Sequence, residues 1–340
     1  MNSRVNHLTT DAGIHLFAGF RGFTLNDELK SFIRDFHIGG IVLFRHNVES
    51  LEQLRSLLSE VQAFALDALG RRLLVAIDQE GGPVQRLDPH FTLPCSAREL
   101  AEEGPQAVME WAERTATELR SLGVQINFAP VLDVIPDGTD HFMKERSLGA
   151  NPLRVAQLGE IWLRSLQQNG VSATVKHYPG LGRAESDPHH FAPVIRWKNE
   201  RAMQWDLLPF RAAIDAGVHC VMTSHALYPF LDPELPATLS ARVNREWLRE
   251  KLGFEGVLFS DDMDMAAVSE RYCPEETVTW GLGATLDFFL FCQRPENIEP
   301  HCRALFDEIA GNPALAEAHR QSLNRIADLF KRYDPGSARV

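Results

Sequence analysis

Short runs of apolar, β-branched or aromatic residues alternate with longer amphipathic segments along the whole chain. The short runs predict β-strands, and the longer segments, in which apolar residues recur every three or four positions, predict helices. The clearest helical patterns lie at 50–66, 155–166 and 245–252. The segments predicted to be strands are 15–20, 39–44, 73–78, 125–131, 172–178, 220–225, 256–261 and 287–292.

Strands that are apolar almost throughout indicate a parallel sheet covered by helices. When closed, such a sheet of eight strand-helix units is a (β/α)8 TIM-type barrel, and a doubly wound open sheet is the alternative. Because no linker, low-complexity segment or charge block divides the chain, we predict a single barrel domain over residues 1–340. A glycine in the left-handed conformation often ends a helix, and this is predicted just before a strand at Gly123, Gly170, Gly217 and Gly253.

Polar residues collect where the predicted strands end. In barrels of this kind the chemistry gathers at the C-terminal ends of the strands, so the arrangement favours an enzyme over a structural protein. The groups concerned are Arg45-His46-Asn47, Asp78-Gln79-Glu80, Asp133, Lys176-His177, Ser224-His225 and Asp261-Asp262.

Composition excludes several classes of protein. A formal net charge of -12 argues against a nucleic-acid partner. No apolar run approaches the roughly 20 residues that span a bilayer, and the N-terminus lacks the pattern of a secretory signal. The 5 cysteines are an odd number without a CxxC pair, which is typical of reduced thiols rather than of disulfides or a zinc site. We therefore expect a cytoplasmic protein without a membrane partner.

The segment that follows the fifth predicted strand is dense in groups that can move protons. Lys176 is a fixed cation, whereas His177, His189 and His190 can titrate near neutral pH. Asp187 lies two residues before His189, close enough in a bent loop to accept a hydrogen bond from its ring and favour the protonated form. The alternative is a surface loop with incidental histidines.

The seventh predicted strand ends in three nearby carboxylates, Asp261, Asp262 and Asp264. A carboxylate at a barrel mouth can serve as nucleophile, general base, cation ligand or acceptor for a sugar hydroxyl, and chemistry alone does not choose among the three. Asp262 or Asp264 could instead cap the following helix. Capping is the favoured interpretation for Asp264 but not for Asp261.

The third predicted strand ends in Asp78 and is followed by Gly81-Gly82. The paired glycines permit a tight turn that would bring Asp78 and Arg86 to one site, where an acceptor and a donor together could grip a polyol. Arg146, after the fourth predicted strand, is a further possible donor. It could equally form a structural ion pair with Asp133.

Six motifs of this chain occur in the same order as in glycoside hydrolase family 3. They are IDQEGG with Arg86, NFAPVLDV, ERSLG, KHYPG, DPHH and GVLFSDDMDM. The chain most resembles the single-domain β-N-acetylglucosaminidases of that family. The resemblance implies that Asp261 is the nucleophile and that His189 is the general acid/base with Asp187 as its partner. It also implies residues that hold the N-acetylglucosamine (GlcNAc) ring, namely Asp78, Arg86, Arg146, Lys176 and His177.

Two positions depart from the family pattern. Leu181 replaces a histidine, and Pro188 replaces a serine between Asp187 and His189. Proline holds φ at about −65°, which constrains how Asp187 and His189 face each other. His190 is the adjacent alternative for the acid/base role.

The resemblance implies a retaining exo-β-N-acetylglucosaminidase that needs neither a cofactor nor a metal. Its expected substrates are small carbohydrates, above all cytosolic peptidoglycan fragments such as GlcNAc-1,6-anhydromuramyl peptides. Alternatives on the same fold are a β-glucosidase and a GlcNAc phosphorylase, since a histidine acid/base would not repel an incoming phosphate. An inactive sugar-binding homologue is another alternative. A metal-dependent barrel hydrolase is a further alternative, but the sequence lacks the H-E-x-x-H pattern expected of one.

Overall fold

The computed structural model describes residues 12–87, 95–184 and 193–333. Within these ranges eight parallel strands pair side by side, and the last pairs with the first, so the sheet is a closed barrel. This confirms the predicted barrel and excludes the open sheet. The strands are β1 (Leu16–Gly19), β2 (Gly40–Leu43), β3 (Leu74–Ile77), β4 (Ile126–Asn127), β5 (Ser172–Tyr178), β6 (Cys220–Thr223), β7 (Val257–Asp262) and β8 (Phe288–Phe291).

Every predicted strand overlaps an observed one, and the three predicted helical patterns are observed at Leu51–Leu69, Pro152–Gln168 and Arg242–Lys251. The last of these has π-type hydrogen bonding. The four predicted glycines have φ values of 85°, 82°, 79° and 72°, as a left-handed helix end requires. The α-helices are α1 (Asp27–Arg34), α2 (Leu51–Leu69), α3 (Ala97–Glu103), α4 (Pro105–Leu122), α5 (Pro152–Gln168), α6 (Glu200–Asp215), α7 (Ala266–Ser269), α8 (Pro274–Gly283), α9 (Ile298–Gly311) and α10 (Pro313–Lys331).

Aromatic rings fill the interior of the barrel. Phe17 packs edge-to-face against Phe259 and Phe288, with ring centroids 5.2 Å and 4.6 Å apart, and Phe128 packs against Phe259 at 5.3 Å. All four side chains are buried. Such rings bury large apolar areas and favour this edge-to-face geometry. The barrel is therefore a packed core, and the polar strand ends lie above a closed apolar floor.

The connection after β6 contains a small antiparallel hairpin that the hydrophobic pattern did not indicate. Its first strand, Leu227–Tyr228, is too short to show a period of two, and the second, Asp232–Pro236, does not alternate between buried and exposed residues. Asp232 holds the turn, since its carboxylate accepts hydrogen bonds from the amides of Glu234 and Leu235. The hairpin leads into the segment Ala237–Leu239, which packs beside the end of β6.

No helix in the described part of the chain is long and apolar enough to cross a membrane.

Candidate active site

A cavity of about 270 Å³ opens at the C-terminal ends of the strands. It lies where a barrel of this kind holds its catalytic groups. Every predicted site residue that falls within the described ranges lines it: Asp78, Arg86, Arg146, Lys176, His177 and Asp261.

The predicted acid/base dyad cannot be placed in the same way. Asp187, Pro188, His189 and His190 lie outside the described residues, so their roles stay predictions. Leu181, which replaces a family histidine, is buried and lines the cavity. Its side chain contributes an apolar surface at this position.

A buried ion-pair network forms one wall of the cavity. Lys176 Nζ donates to Asp78 Oδ1 and to Glu80 Oε1, each at 2.7 Å. Arg146 makes a two-point pair with Glu80, whose oxygens accept from its Nε and Nη2 at 2.8 Å. Arg146 thus pairs with Glu80, not with Asp133 as the alternative interpretation had it.

The charges in this network keep Glu80 and Lys176 ionised. Burial alone would raise the pKa of Glu80, but Arg146 and Lys176 outweigh it and hold that pKa at about 2. Burial would likewise lower the pKa of Lys176, but Asp78 and Glu80 hold it above its usual value. The wall therefore presents fixed charges across the physiological range of pH.

Glu80 is a site residue that sequence reasoning did not assign. It lies two positions after Asp78, on the stretch that extends from β3. In an extended chain, residues two apart point to the same side, and this spacing could have identified Glu80 as a second carboxylate for Lys176.

The turn after β3 brings Asp78 and Arg86 together, as the paired glycines predicted. Gly81 and Gly82 have φ values of 96° and 53°, and the turn is closed by hydrogen bonds between Gly81 and Val84. A Cβ on Gly81 would lie 2.5 Å from the carbonyl oxygen of Cys95, so a larger residue would not fit. Arg86 Nη2 then lies 3.4 Å from Asp78 Oδ2.

Arg86 retains capacity to bind a ligand. Its guanidinium carbon lies 5.3 Å from the centre of the Phe44 ring, which orients the group over an aromatic face. Its Nε is buried and has no hydrogen-bond partner among the residues that the structure describes. A buried donor of this kind is costly unless a ligand or water satisfies it.

Asp133 orients His177. The ring Nδ1 lies 2.7 Å from Asp133 Oδ2, and the same carboxylate accepts from the amides of His177 and Leu181. A carboxylate held by backbone donors acts as an acceptor, so Nδ1 carries the proton that is donated to Asp133. Nε2 is the ring nitrogen left for the cavity side.

Asp261 is ionised and anchored. Its Oδ1 accepts a hydrogen bond of 2.8 Å from the amide of Asp262. Burial opposes ionisation, but His177, His225 and Lys176 outweigh it and lower the pKa of Asp261 below its ordinary value. Asp261 therefore presents a negative charge to the cavity at neutral pH.

The two neighbouring carboxylates differ from Asp261. Burial and the nearby Asp264 raise the pKa of Asp262 to about 7. Asp264 accepts from the amides of Gln293 and Arg294 at 2.8 Å and from Asn297 at 2.6 Å. The prediction that Asp264 caps the following helix is wrong, because Met265 precedes α7 and Asp264 instead ties the end of β7 to the loop after β8.

No group of three or more His, Cys, Asp or Glu residues in the described ranges is arranged to hold a metal ion.

The closed barrel, with ionised carboxylates and fixed cations at its mouth, defines a barrel enzyme with a polar pocket for a small ligand. The sequence profile of the "Glycosyl hydrolase family 3 N terminal domain" matches residues 7–329. The chain belongs to this family. The predicted family, and with it the class of glycoside hydrolase, is confirmed.

Relatives from several bacteria are similar over most of their length. The Beta-hexosaminidase of Thioalkalivibrio sulfidiphilus (strain HL-EbGR7) is 37% identical over 294 residues, which cover 84% of this chain and 83% of that protein. The Beta-hexosaminidase of Nitrosospira multiformis (strain ATCC 25196 / NCIMB 11849 / C 71) is 37% identical over 283 residues, or 81% of this chain and 79% of that protein.

Solved structures agree with this assignment. A glycoside hydrolase family 3 beta-N-acetylglucosaminidase from Paenibacillus sp. str. FPU-7 has a TM-score of 0.91 at 36% identity and covers 98% of this chain. This chain spans 64% of the Paenibacillus chain. The Beta-N-acetylhexosaminidase from Beutenbergia cavernae DSM 12333 has a TM-score of 0.89 at 26% identity, covering 95% of this chain and 98% of that one.

Proposed function

We propose that the protein is a retaining exo-β-N-acetylglucosaminidase in which Asp261 is the nucleophile. The observation that carries the proposal is the ionised, anchored carboxylate of Asp261 beside a wall of fixed charges at the barrel mouth. The cavity of about 270 Å³ lies just below the roughly 300 Å³ at which typical ligand pockets begin. This size supports the binding of one terminal sugar residue.

The charged wall supports the role proposed for the sugar-binding residues. Asp78 accepts from a ring hydroxyl, while Lys176, Arg86 and Arg146 donate to hydroxyl or acetamido oxygens. His177, held by Asp133, contributes its Nε2. Because these groups are already paired and are buried or partly buried, they are oriented before the sugar arrives, and little ordering is left for the binding step.

The reaction proceeds in two steps. Asp261 attacks the anomeric carbon and forms a covalent glycosyl-enzyme, while His189, supported by Asp187, donates a proton to the departing oxygen. His189 then removes a proton from water, which attacks the anomeric carbon and releases Asp261. The mechanism needs no metal and no cofactor.

The biological substrates follow from the resemblance to the single-domain enzymes of the family. We propose terminal β-linked GlcNAc on peptidoglycan fragments, in particular GlcNAc-1,6-anhydromuramyl peptides. Removal of this sugar would serve cell-wall recycling in the cytoplasm.

Hydrolysis of paired chromogenic substrates tests the proposal. The wild-type protein should cleave 4-nitrophenyl β-GlcNAc much faster than the β-glucoside. The reason is that the proposed donors to the acetamido oxygen have no such partner on a glucoside. In phosphate buffer the product should be GlcNAc. Preference for the glucoside would indicate a β-glucosidase, release of GlcNAc-1-phosphate a phosphorylase, and binding without turnover an inactive homologue.

The role of His189 is tested through the leaving group. In His189→Ala, kcat/KM for a GlcNAc disaccharide should fall about 10²- to 10⁴-fold, because a sugar alkoxide leaves poorly without a proton. For the nitrophenyl substrate kcat/KM should change little, since nitrophenolate needs no acid. His190→Ala is the matched control, and a leaving-group-dependent loss there instead would transfer the acid/base role to His190.

A further inference from the structure

The buried imidazole of His225 occupies an unusual hydrogen-bonding position behind Asp261. It lies two residues after the end of β6 and is 1% exposed. Its Nδ1 lies 2.8 Å from Thr238 Oγ1, and its Nε2 lies 2.9 Å from the carbonyl oxygen of Asp262. The ring therefore connects the segment Ala237–Leu239 to the end of β7.

The partners determine where the protons lie. A carbonyl oxygen only accepts, so Nε2 must carry a proton that it donates to Asp262. Thr238 Oγ1 also lies 2.9 Å from the carbonyl oxygen of Ser224. When the hydroxyl donates its proton to that carbonyl, its oxygen acts as an acceptor toward Nδ1. Turning the hydroxyl toward Nδ1 would leave two oxygens facing each other at 2.9 Å with no proton between them.

We propose that His225 is held as a doubly protonated imidazolium and acts as the positioning residue of the nucleophile Asp261. The inference rests on the role proposed above for Asp261. The observation behind it is an oxygen atom on each side of the ring: the Asp262 carbonyl, which only accepts, and the Thr238 hydroxyl, which accepts when it donates to Ser224.

The imidazolium acts on Asp261 in two ways. It fixes the carbonyl of Asp262, and the amide of that same residue donates to Asp261 Oδ1 at 2.8 Å. One carboxylate oxygen is thereby anchored, and Oδ2 is left for attack. The positive charge of the ring also favours the ionised form of the nucleophile.

Other charged groups within the described ranges lie at this end of the barrel as well. Asp261 and Asp262 on β7 supply carboxylates, and Lys176 and the ring of His177 on β5 also lower the pKa of Asp261. The cation at His225 differs from these two because it reaches the nucleophile through the backbone of β7 rather than across the cavity.

Ring protonation can be measured directly by nuclear magnetic resonance on histidine-labelled (¹⁵N) wild-type protein at pH 7 to 8. The His225 signals are assigned by their loss in His225→Gln. We expect a directly bonded proton on both ring nitrogens. A single protonated nitrogen would overturn the proposal, and this measurement does not depend on any enzymatic activity.

The acidic limb of the kcat/KM profile on 4-nitrophenyl β-GlcNAc tests the effect on the nucleophile. His225→Gln keeps an amide donor for the Asp262 carbonyl but removes the charge. Thr238→Val keeps the histidine and its shape but removes the acceptor for Nδ1, which favours the neutral ring. In both variants the limb should move to higher pH by roughly one unit, because kcat/KM requires ionised Asp261.

His219→Gln is the matched control, since His219 precedes β6 at the opposite end of the same strand and bonds to Ser172. Its acidic limb should coincide with that of the wild type. If neither His225→Gln nor Thr238→Val moves the limb, the imidazolium does not act on Asp261 and the proposal fails. If the wild type proves inactive on GlcNAc substrates, the proposed function fails, whereas the protonation measurement still decides the state of His225.

Discussion

Replacement of Asp261 by asparagine should abolish turnover of GlcNAc substrates. The side chain keeps its size and can still accept from the amide of Asp262, but an amide cannot form the covalent glycosyl-enzyme. Loss of a nucleophile typically lowers kcat by roughly 10⁴- to 10⁶-fold. The measurement is the steady-state rate on 4-nitrophenyl β-GlcNAc, with folding checked by circular dichroism.

Asp262→Asn is the matched control, because it makes the same chemical change one residue further along β7. Asparagine can keep the acceptor that receives the amides of Asp264 and Cys292, so we expect only a modest loss of activity. Retained activity in Asp261→Asn together with a large loss in Asp262→Asn would reassign the nucleophile.

A small anion gives a second test of the same role. In Asp261→Ala the space left by the carboxylate can admit azide, which attacks the anomeric carbon from the nucleophile's face. The expected product is the α-glycosyl azide, because the missing carboxylate attacks from that side. Formation of the β-azide would contradict the proposed geometry.

Replacement of Lys176 by methionine should lower the free energy of unfolding more than any other substitution proposed for this protein. Lys176 is 2% exposed and is the shared partner of Asp78 and Glu80. Without its charge the variant keeps the buried carboxylate of Glu80 and the partly buried carboxylate of Asp78, both of which have lost a cation. Breaking a buried ion pair on one side typically costs about 3–5 kcal/mol in the free energy of unfolding, measurable by urea denaturation at pH 7.

The deficit of Lys176→Met should shrink as the pH falls. In the wild type the pKa of Glu80 is held at about 2, so the stability that Glu80 contributes is present above its unfolded pKa. It is lost only as the pH falls toward that low value. In the variant the pKa of Glu80 lies closer to its ordinary value of 4.5, so the two stability curves converge as the pH falls below that value toward 2. A constant deficit would show that packing, rather than charge, is the cause.

Lys331→Met is the control for an exposed ion pair. Lys331 Nζ lies 2.8 Å from Asp328, but the side chains are 61% and 70% exposed. Exposed pairs contribute about 0–1 kcal/mol, because water screens them. A comparable loss in both variants would contradict the importance assigned to burial at Lys176.

Much of the fold could be predicted because its signals are local. An apolar run such as 39–44 identifies a strand, and a glycine such as Gly123 identifies a helix end, from a window of a few residues. The order of motifs around Asp78, Lys176 and Asp261 identified the family and the residues that line the cavity. Local sterics and periodicity carry this information in the chain itself.

Pairing across the barrel could not be predicted in this way. Lys176 meets Asp78 and Arg146 meets Glu80 over 98 and 66 residues, respectively. Sequence reasoning offered Asp133 as the partner of Arg146, whereas Asp133 binds His177. Which carboxylate meets which cation depends on strand register and loop path, which the local pattern does not contain.

The sequence by itself determined the eight strand-helix units, the ends of several helices and which strand ends are polar, since these follow from backbone conformation and the burial of apolar side chains. Only the tertiary structure decided that Glu80 is shared by two cations, that Asp264 binds the loop after β8 and that each ring nitrogen of His225 lies beside an oxygen atom. The physical reason is that a hydrogen bond needs its two atoms within about 3 Å. Distant segments reach that separation only when the barrel closes.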